Sequence, residues 1–441
     1  MLWRTLFSVL LLPSLTYAQQ VFTLEEAVRI TLENNYAIKI ASSRVRLAEN
    51  DNTIGNAGFL PIVSGNAQKN FNNSNTNQIF FPTGAAPRDP LVLTAVPSNT
   101  SSVGVNMIWT IFDGFGMFIA RDRLGELVKA GQANAQVTIE TTVADVSNAY
   151  FDVVRQRQRV DALRDALDSI SAERVRLARD RFEVGQGSKL DYLSAQVDYN
   201  TDKAALIAQE QALQNAKITL NALMVRDLKT DFIVPDTIAL RKDLSLEALR
   251  EQVRRQNPAL ILAGYNRRVA EFDVKAQQAL QYPSVDLLSG YNRSTNNNRA
   301  RSGFGLQSGR SGVLNFGIRA TVPIFDGFNA RRRVSGARIN QLIFEQQESD
   351  LKIQLDAALD QTFTNYRNSL LLIALEAQNL AFARQNVDIA FERFRIGVST
   401  SLELREAQRN AVAVETRLID AQYNTKLAEI ELMRLSSAII D

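Results

Sequence analysis

Glu403 and Glu406 stand three residues apart, a spacing that puts both carboxylates on one face of a helix. Asp191 holds the comparable place in an earlier, similar stretch. Acids so placed are either solvated charges of a helix surface or a local concentration of negative potential. Catalysis fits them poorly. The 441 residues contain no His, which removes the commonest general base and the commonest zinc ligand, and no Cys, which removes disulfides. No catalytic residue, metal site or cofactor is therefore expected, and no phosphate-binding Gly-rich loop is present. A carboxylate-based enzyme is only a distant third reading.

The other chemically suggestive residues come in pairs. Phe112-Asp113-Gly114-Phe115 returns about 213 residues later as Phe325-Asp326-Gly327-Phe328, and Arg181-Phe182-Glu183-Val184-Gly185 as Arg393-Phe394-Arg395-Ile396-Gly397. Upstream, Leu24-Glu25-Glu26-Ala27, Asn34-Asn35 and Pro61 are echoed by Leu246-Glu247-Ala248, Asn257-Pro258 and Pro283. Landmarks kept in order at nearly constant spacing mark a duplicated structural unit. Its halves are 19–226 and 245–441, joined by a linker at 227–244, behind a segment 1–18.

Each half reads as a medium helix, two strands, a very long helix and a second medium helix. Thr23 with Glu26 has the pattern of a capping box, and Pro61 stops that helix near Gly58. Ser245 takes Thr23's place, but Ala248 supplies no reciprocal carboxylate. Val103, Val105, Met107, Trp109 and Ile111 alternate with Ser102, Gly104, Asn106, Ile108 and Thr110, as do Leu314 to Val322 with their neighbours. Period two means strands with one apolar face. Partner strands lie near 62–72 and 284–294, with loops carrying Phe80-Phe81-Pro82-Thr83-Gly84 and an Asn/Arg/Gly-rich run at 295–311.

Asp113 and Asp326 sit where strand becomes helix, placed to cap the first turn, and Gly114 and Gly327 permit the change of direction. The helix that follows runs from Met117 to Glu183 without proline, about 100 Å at 1.5 Å per residue. Val146, Val153, Val160 and Leu167 recur every seven residues, as do Leu359, Tyr366, Ile373, Leu380 and Val387. Such rows call for coiled-coil partners, which 189–226 and 401–437 supply after a reversal at Gly185 and Gly397.

The first 18 residues read as a secretory signal: Arg4, an apolar run from Leu6 to Leu12, then Thr16-Tyr17-Ala18. An uncleaved anchor is the alternative. No later stretch is apolar enough for a transmembrane helix. The net charge of +3 gives no electrostatic footprint for nucleic acid. Four strands of about 10–13 residues are long enough to cross a bilayer, yet too few to close a barrel, and open edges in lipid cost several kcal/mol per unpaired group. Several chains must share one wall: two would give a filled eight-stranded barrel, three a twelve-stranded barrel with a passage.

In its ordered, doubled motifs the mature chain resembles the TolC-type outer-membrane efflux channel family. That resemblance implies a mainly helical fold assembling as a homotrimer. Its twelve-stranded barrel would lie in outer-membrane lipid, on a helical tunnel through the periplasm. It also implies a periplasmic adaptor and an inner-membrane transporter as partners, with the chain a passive exit duct for efflux or type I secretion. The family commonly writes the strand-exit turn Phe-Asp-Gly-Gly, where this chain has Phe115 and Phe328 in place of the last Gly. Three-fold symmetry would turn Glu403 and Glu406, and Asp191 with them, into acidic rings at a tunnel gate. Arg181, Phe182, Gly185, Ser188, Arg393, Phe394, Gly397 and Ser401 would form the hairpin tips that meet the adaptor, the two arginines bonding turn carbonyls or pairing across subunits. Trp109, Phe112, Phe115, Phe325 and Phe328 would sit at the membrane interface, with Arg331, Arg332 and Arg333 just beyond. Drugs, metal ions and unfolded polypeptides are all open as cargo. A periplasmic or surface coiled-coil protein without a pore is the alternative reading.

Overall fold

The computed structural model of the protein describes residues 21–79, 90–298 and 308–439. The signal segment 1–18, the Phe80–Gly84 loop and most of the 295–311 run lie outside them. Among the described residues the order is α1 (Leu24–Asn34), α2 (Tyr36–Asp51), β1 (Ile62–Gln78), β2 (Leu91–Phe112), α3 (Gly116–Ala166), a π-helical turn (Leu167–Ser171), α4 (Ala172–Glu183), α5 (Lys189–Leu223), α6 (Leu246–Gln256), α7 (Pro258–Ala279), β3 (Ser284–Asn298), β4 (Ser308–Thr321), α8 (Asn329–Arg395) and α9 (Ser401–Leu435). The described residues form two compact units, one within 21–43, 133–261 and 349–439, the other within 44–79, 90–132, 262–298 and 308–348. Each sequence half contributes to both.

The first unit is helical, and the heptad rows are its core. Val146, Val153, Val160 and Leu167 are all buried, as are Leu359, Tyr366, Leu380 and Val387. Each such side chain contributes roughly 1.5–3 kcal/mol over leaving it in water, which is why helices this long need lengthwise partners. In the first half the expected continuous helix is interrupted: Leu167–Ser171 is a π turn between α3 and α4. Gln408 on α9 donates to the Ala166 carbonyl at 3.3 Å and to the Ser171 hydroxyl at 2.6 Å. A side chain that claims groups of the ladder is a recognised cause of such a bulge. α8 has no such interruption and runs 67 residues.

The medium helices also differ from expectation. Each is broken at an Asn: Asn35 separates α1 from α2, and Asn257 separates α6 from α7. The Asn35 side chain accepts from the Ala37 amide at 2.8 Å, and Asn257 from those of Ala259 and Leu260 at 3.0 and 3.1 Å. A helix N-cap is thus inserted in mid-run. Thr23 caps α1 through the Glu26 amide, whereas Ser245 makes no side-chain cap.

In the second unit, α2 ends at Asp51, short of Gly58, in a turn region where Gly58 has φ +94°. Four strands follow in one antiparallel sheet of order β1-β2-β3-β4. They run 17, 22, 15 and 14 residues, longer than the alternation predicts. Pairing continues through Asn-, Ser- and Thr-rich stretches that show no hydrophobic contrast. No described helix is long and apolar enough to cross a membrane.

Candidate functional site: hairpin tips and a two-faced wall

The hairpin tips belong to the helical unit. Gly185 and Gly397 have φ of +76° and +82°, and the following amides, of Gln186 and Val398, bond back to Arg181 and Arg393 carbonyls at 2.8 and 2.9 Å. These are Schellman closures, and only Gly takes that conformation freely. The next helices are capped alike: Ser188 accepts from the Asp191 amide and Thr400 from the Glu403 amide, both at 3.3 Å. The counterpart of Ser188 is therefore Thr400, while Ser401 is the first residue of α9. Thr400 is not among the residues expected at the tips, although its place three residues before Glu403 repeats that of Ser188 before Asp191.

The capping geometry gives Asp191 and Glu403 equivalent places in a first helical turn, where their charge favours the helix dipole. Glu403 also lies 3.6 Å from Arg393, and Glu406 lies 3.9 Å from Arg409 with both side chains largely in solvent. Such exposed pairs are worth about 0–1 kcal/mol. Arg181 bonds carbonyls, as one of its two expected roles: its guanidinium donates to Phe394 and, at 3.1 Å, to Arg395, and lies 4.8 Å over the Phe394 ring. Phe394 is buried, whereas Phe182 stacks on Tyr192 at 6.3 Å and stays partly exposed. Val184, Leu190, Ile396, Val398 and Leu402 leave apolar surface around both tips.

Behind the tips lies a polar cluster that no motif announced. Arg174, only 1% exposed, meets Asp198 at 2.5 Å, Arg405 meets Asp202 at 2.6 Å, and Ser171 donates to Asp202 at 2.6 Å. With Gln408 it fastens α9 of the second half to α5 and the π turn of the first. Buried charges of this kind need partners to offset desolvation, and those partners lie far off in sequence.

The second unit carries the strand exits and the sheet. Gly114 and Gly327 have φ near +70°, and so do Phe115 and Phe328, at +69° and +67°. The Phe residues thus adopt the left-handed conformation of the Gly they replace, at a cost of order 1–3 kcal/mol each. Each is held edge-to-face on the preceding aromatic: Phe112 with Phe115 and Phe325 with Phe328, both at 5.4 Å. The expected carboxylate caps give way to main-chain acceptors: the amides of Gly116 and Asn329 bond to Asp113 and Asp326 carbonyl oxygens at 3.4 Å. The Asp113 carboxylate instead folds against Gly116, where a Cβ would lie 2.6 Å from Oδ2. Arg333 reaches the Asp326 carboxylate at 3.3 Å, so part of the arginine run meets an acid. Trp109 donates to the Phe59 carbonyl at 2.9 Å.

The register sorts the sheet into two faces. Met107 pairs with Val63 and Ser289, Val105 with Tyr291, Tyr291 with Leu314, and Leu287 with Trp109 and Ile318, giving one largely apolar face. The other carries Ser64, Asn66, Gln68, Thr100, Ser102, Asn106, Asp286, Asn292, Asn315 and Arg319, with Ile62, Ile108, Leu288 and Val313 as its apolar members. Side chains on the polar face bond strand to strand. Asn292 donates to Asn106 at 3.1 Å and Asn106 to Asn66 at 2.8 Å, while Asp286 receives Thr110 at 2.8 Å and Arg319 at 2.9 Å. Gly104 leaves room for this ladder, since a Cβ there would collide with the Asn292 side-chain oxygen and displace it. The apolar face is exposed in the single chain, Phe316 most of all at 85%, and β1 and β4 are open edges.

A four-stranded sheet with one wet and one greasy face, in a chain that repeats a long helical hairpin, is the pattern expected of an outer-membrane channel. The model of the family described as outer membrane efflux protein matches residues 27–225 and 249–438, and the chain belongs to that family. It is 23% identical over 413 residues to the outer membrane efflux protein BepC of Brucella suis biovar 1, covering 93% of this chain and 84% of that one. It is 24% identical over 389 residues to the outer membrane protein TolC of Vibrio cholerae, covering 86% and 82%. Among solved structures, the outer-membrane channel OprN superposes with a TM-score of 0.74 at 19% identity, over 94% of this chain and 90% of that one.

Proposed function

We propose that the protein is one of three identical subunits of an exit duct, a passive conduit that carries cargo from an inner-membrane transporter through the periplasm to the outside. The carrying observation is the sheet itself: two faces of opposite character and two unpaired edges in a four-stranded piece. Such a piece is stable in lipid only when copies close it, because each unpaired amide or carbonyl there costs several kcal/mol. Three copies give twelve strands and a water-filled passage lined by the Asn, Ser and Thr face. Trp109 and the paired phenylalanines then mark the periplasmic rim of the bilayer.

At the helical end, the apolar skin around Gly185 and Gly397 is the docking surface for a periplasmic adaptor. Glu403, Glu406 and Asp191 form acidic rings where the tunnel narrows. The halves 19–226 and 245–441 are the two structural repeats, with 227–244 as linker. A drug, a metal ion or an unfolded polypeptide would each fit a tube of this kind.

Single-channel recording in planar bilayers tests the reading. Purified protein should give discrete, long-lived conductances of one trimeric species. Material that never raises the bilayer conductance, while staying folded in plain buffer, would return the coiled-coil alternative without a pore.

A further inference from the structure

The apolar face of the sheet ends in a band of cations. On β1, Lys69 follows Val63, Gly65 and Ala67 on that face, on β3 Arg293 follows Leu287, Ser289 and Tyr291, and on β4 Arg310 precedes Gly312, Leu314 and Phe316. The register puts two of them on one rung: Lys69 pairs with Ser101, Ser101 with Thr295, and Thr295 with Arg310. Arg293, paired with Val103 and Gly312, lies one same-face step closer to the helices. All three side chains are exposed. The four strands contain a single acid, Asp286, and it belongs to the opposite face and is already held by Arg319. Lys69 has the Phe71 ring beneath it at 5.1 Å, and the Tyr291 hydroxyl lies over Gly312.

Three cations that meet no acid among the described residues, beside an apolar surface, require an explanation, since a charge within the hydrocarbon region of a barrel costs about 2–4 kcal/mol at the midplane and little near the interface. Their height supplies it. From Val285 to Arg293, at ~3.3 Å per residue and with the ~40° tilt of barrel strands, the rise is about 20 Å, and Lys69 and Arg310 lie one step higher. An apolar band is about 25 Å tall, so the cations sit at its far boundary, on the side away from the helices. In a wall whose helices enter the periplasm, that side is the outer leaflet. Closure of the wall sets β4 of one copy beside β1 of the next, which repeats the three cations around the barrel.

We propose that Lys69, Arg293 and Arg310 form a collar that binds the phosphate groups of a phosphorylated glycolipid in the outer leaflet. This rests on the apolar face being the lipid face. Ammonium and guanidinium donors set above an apolar wall match a phosphate set above acyl chains, the guanidinium by two parallel hydrogen bonds. Tyr291 and Phe71 fill the level between chains and headgroup.

The full-length trimer, reconstituted in nanodiscs, is the material for the test. Native mass spectrometry would count the lipids retained when bisphosphorylated lipid A, its dephosphorylated form or phosphatidylglycerol is supplied. The wild type should retain the bisphosphorylated lipid roughly tenfold better than either other lipid, and the triple variant K69Q/R293Q/R310Q should lose that preference. The charge-preserving K69R/R293K/R310K set should keep most of it and guards against a folding defect. Equal retention of phosphorylated and dephosphorylated lipid by the wild type, or undiminished preference in the triple variant, would overturn the collar. Failure of the wild type to enter nanodiscs would instead overturn the lipid-facing assignment, and with it this proposal.

Discussion

Asn35 donates its side-chain amide to the carbonyl of Leu223 at 2.9 Å, closing the end of α5 with the break between α1 and α2. The second half repeats the arrangement: Asn257, almost fully buried, donates to Leu435 at the end of α9 at 3.0 Å. One side chain thus starts one helix and satisfies an orphan carbonyl at the end of another. Asn257→Ala should cost about 1–3 kcal/mol, since it strands a buried acceptor, and Asn35→Ala somewhat less. Urea unfolding followed by circular dichroism checks this, and an unchanged midpoint in both variants would refute the clamp.

These asparagines show what could be read from the sequence. Both were visible as landmarks of the duplication, but the role lay in contacts to Leu223 and Leu435, far away in the chain. Strand faces, helix order and reversal points were legible because periodicity and Gly placement are local. The π turn, the Arg174–Asp198 and Arg405–Asp202 pairs and the true strand lengths were not. They depend on which helix lies against which, and on backbone pairing through residues that carry no apolar contrast.

The strand-exit turns yield a second prediction. Phe115 and Phe328 bear left-handed backbone strain that edge-to-face contacts of about 0.5–1.5 kcal/mol partly offset. Phe115→Gly should therefore stay within about 1 kcal/mol of wild type, whereas Phe115→Val, β-branched and without the ring, should lose considerably more. The dissociation temperature of the proposed trimer on heated gels ranks the two, and a Val variant as stable as the Gly variant would contradict the argument.

Neutralising the acids at the second tip, Glu403→Gln with Glu406→Gln, should weaken block of the channel by multivalent cations roughly tenfold. The fold and the proposed trimer should persist, because the pairs with Arg393 and Arg409 are exposed. Unaltered block in single-channel records would mean that these are ordinary surface acids.

High pH tests the core beside Phe22. Burial, with the Glu25 carboxylate adding to it, pushes the Tyr150 phenol from 10.0 up to about 12, and its hydroxyl donates to the Phe22 carbonyl at 2.9 Å. The folded state favours the neutral phenol, so this contribution is complete below pH 10 and is lost as pH rises toward 12. Tyr150→Phe should be about 1 kcal/mol less stable than wild type near neutrality, with the gap closing between those two pH values. Denaturant midpoints measured across that window decide it; a gap independent of pH would contradict the assignment.

The shared wall is the central claim, and the native lack of Cys makes it directly accessible. Ala67→Cys on β1, combined with single Cys substitutions stepped along β4 from Ser311 to Ile318, would be oxidised in intact outer membranes. The account predicts disulfide-linked species that stop at three copies and appear only within a narrow window of β4 positions. Monomers at every position, or ladders that run on beyond three, would contradict it.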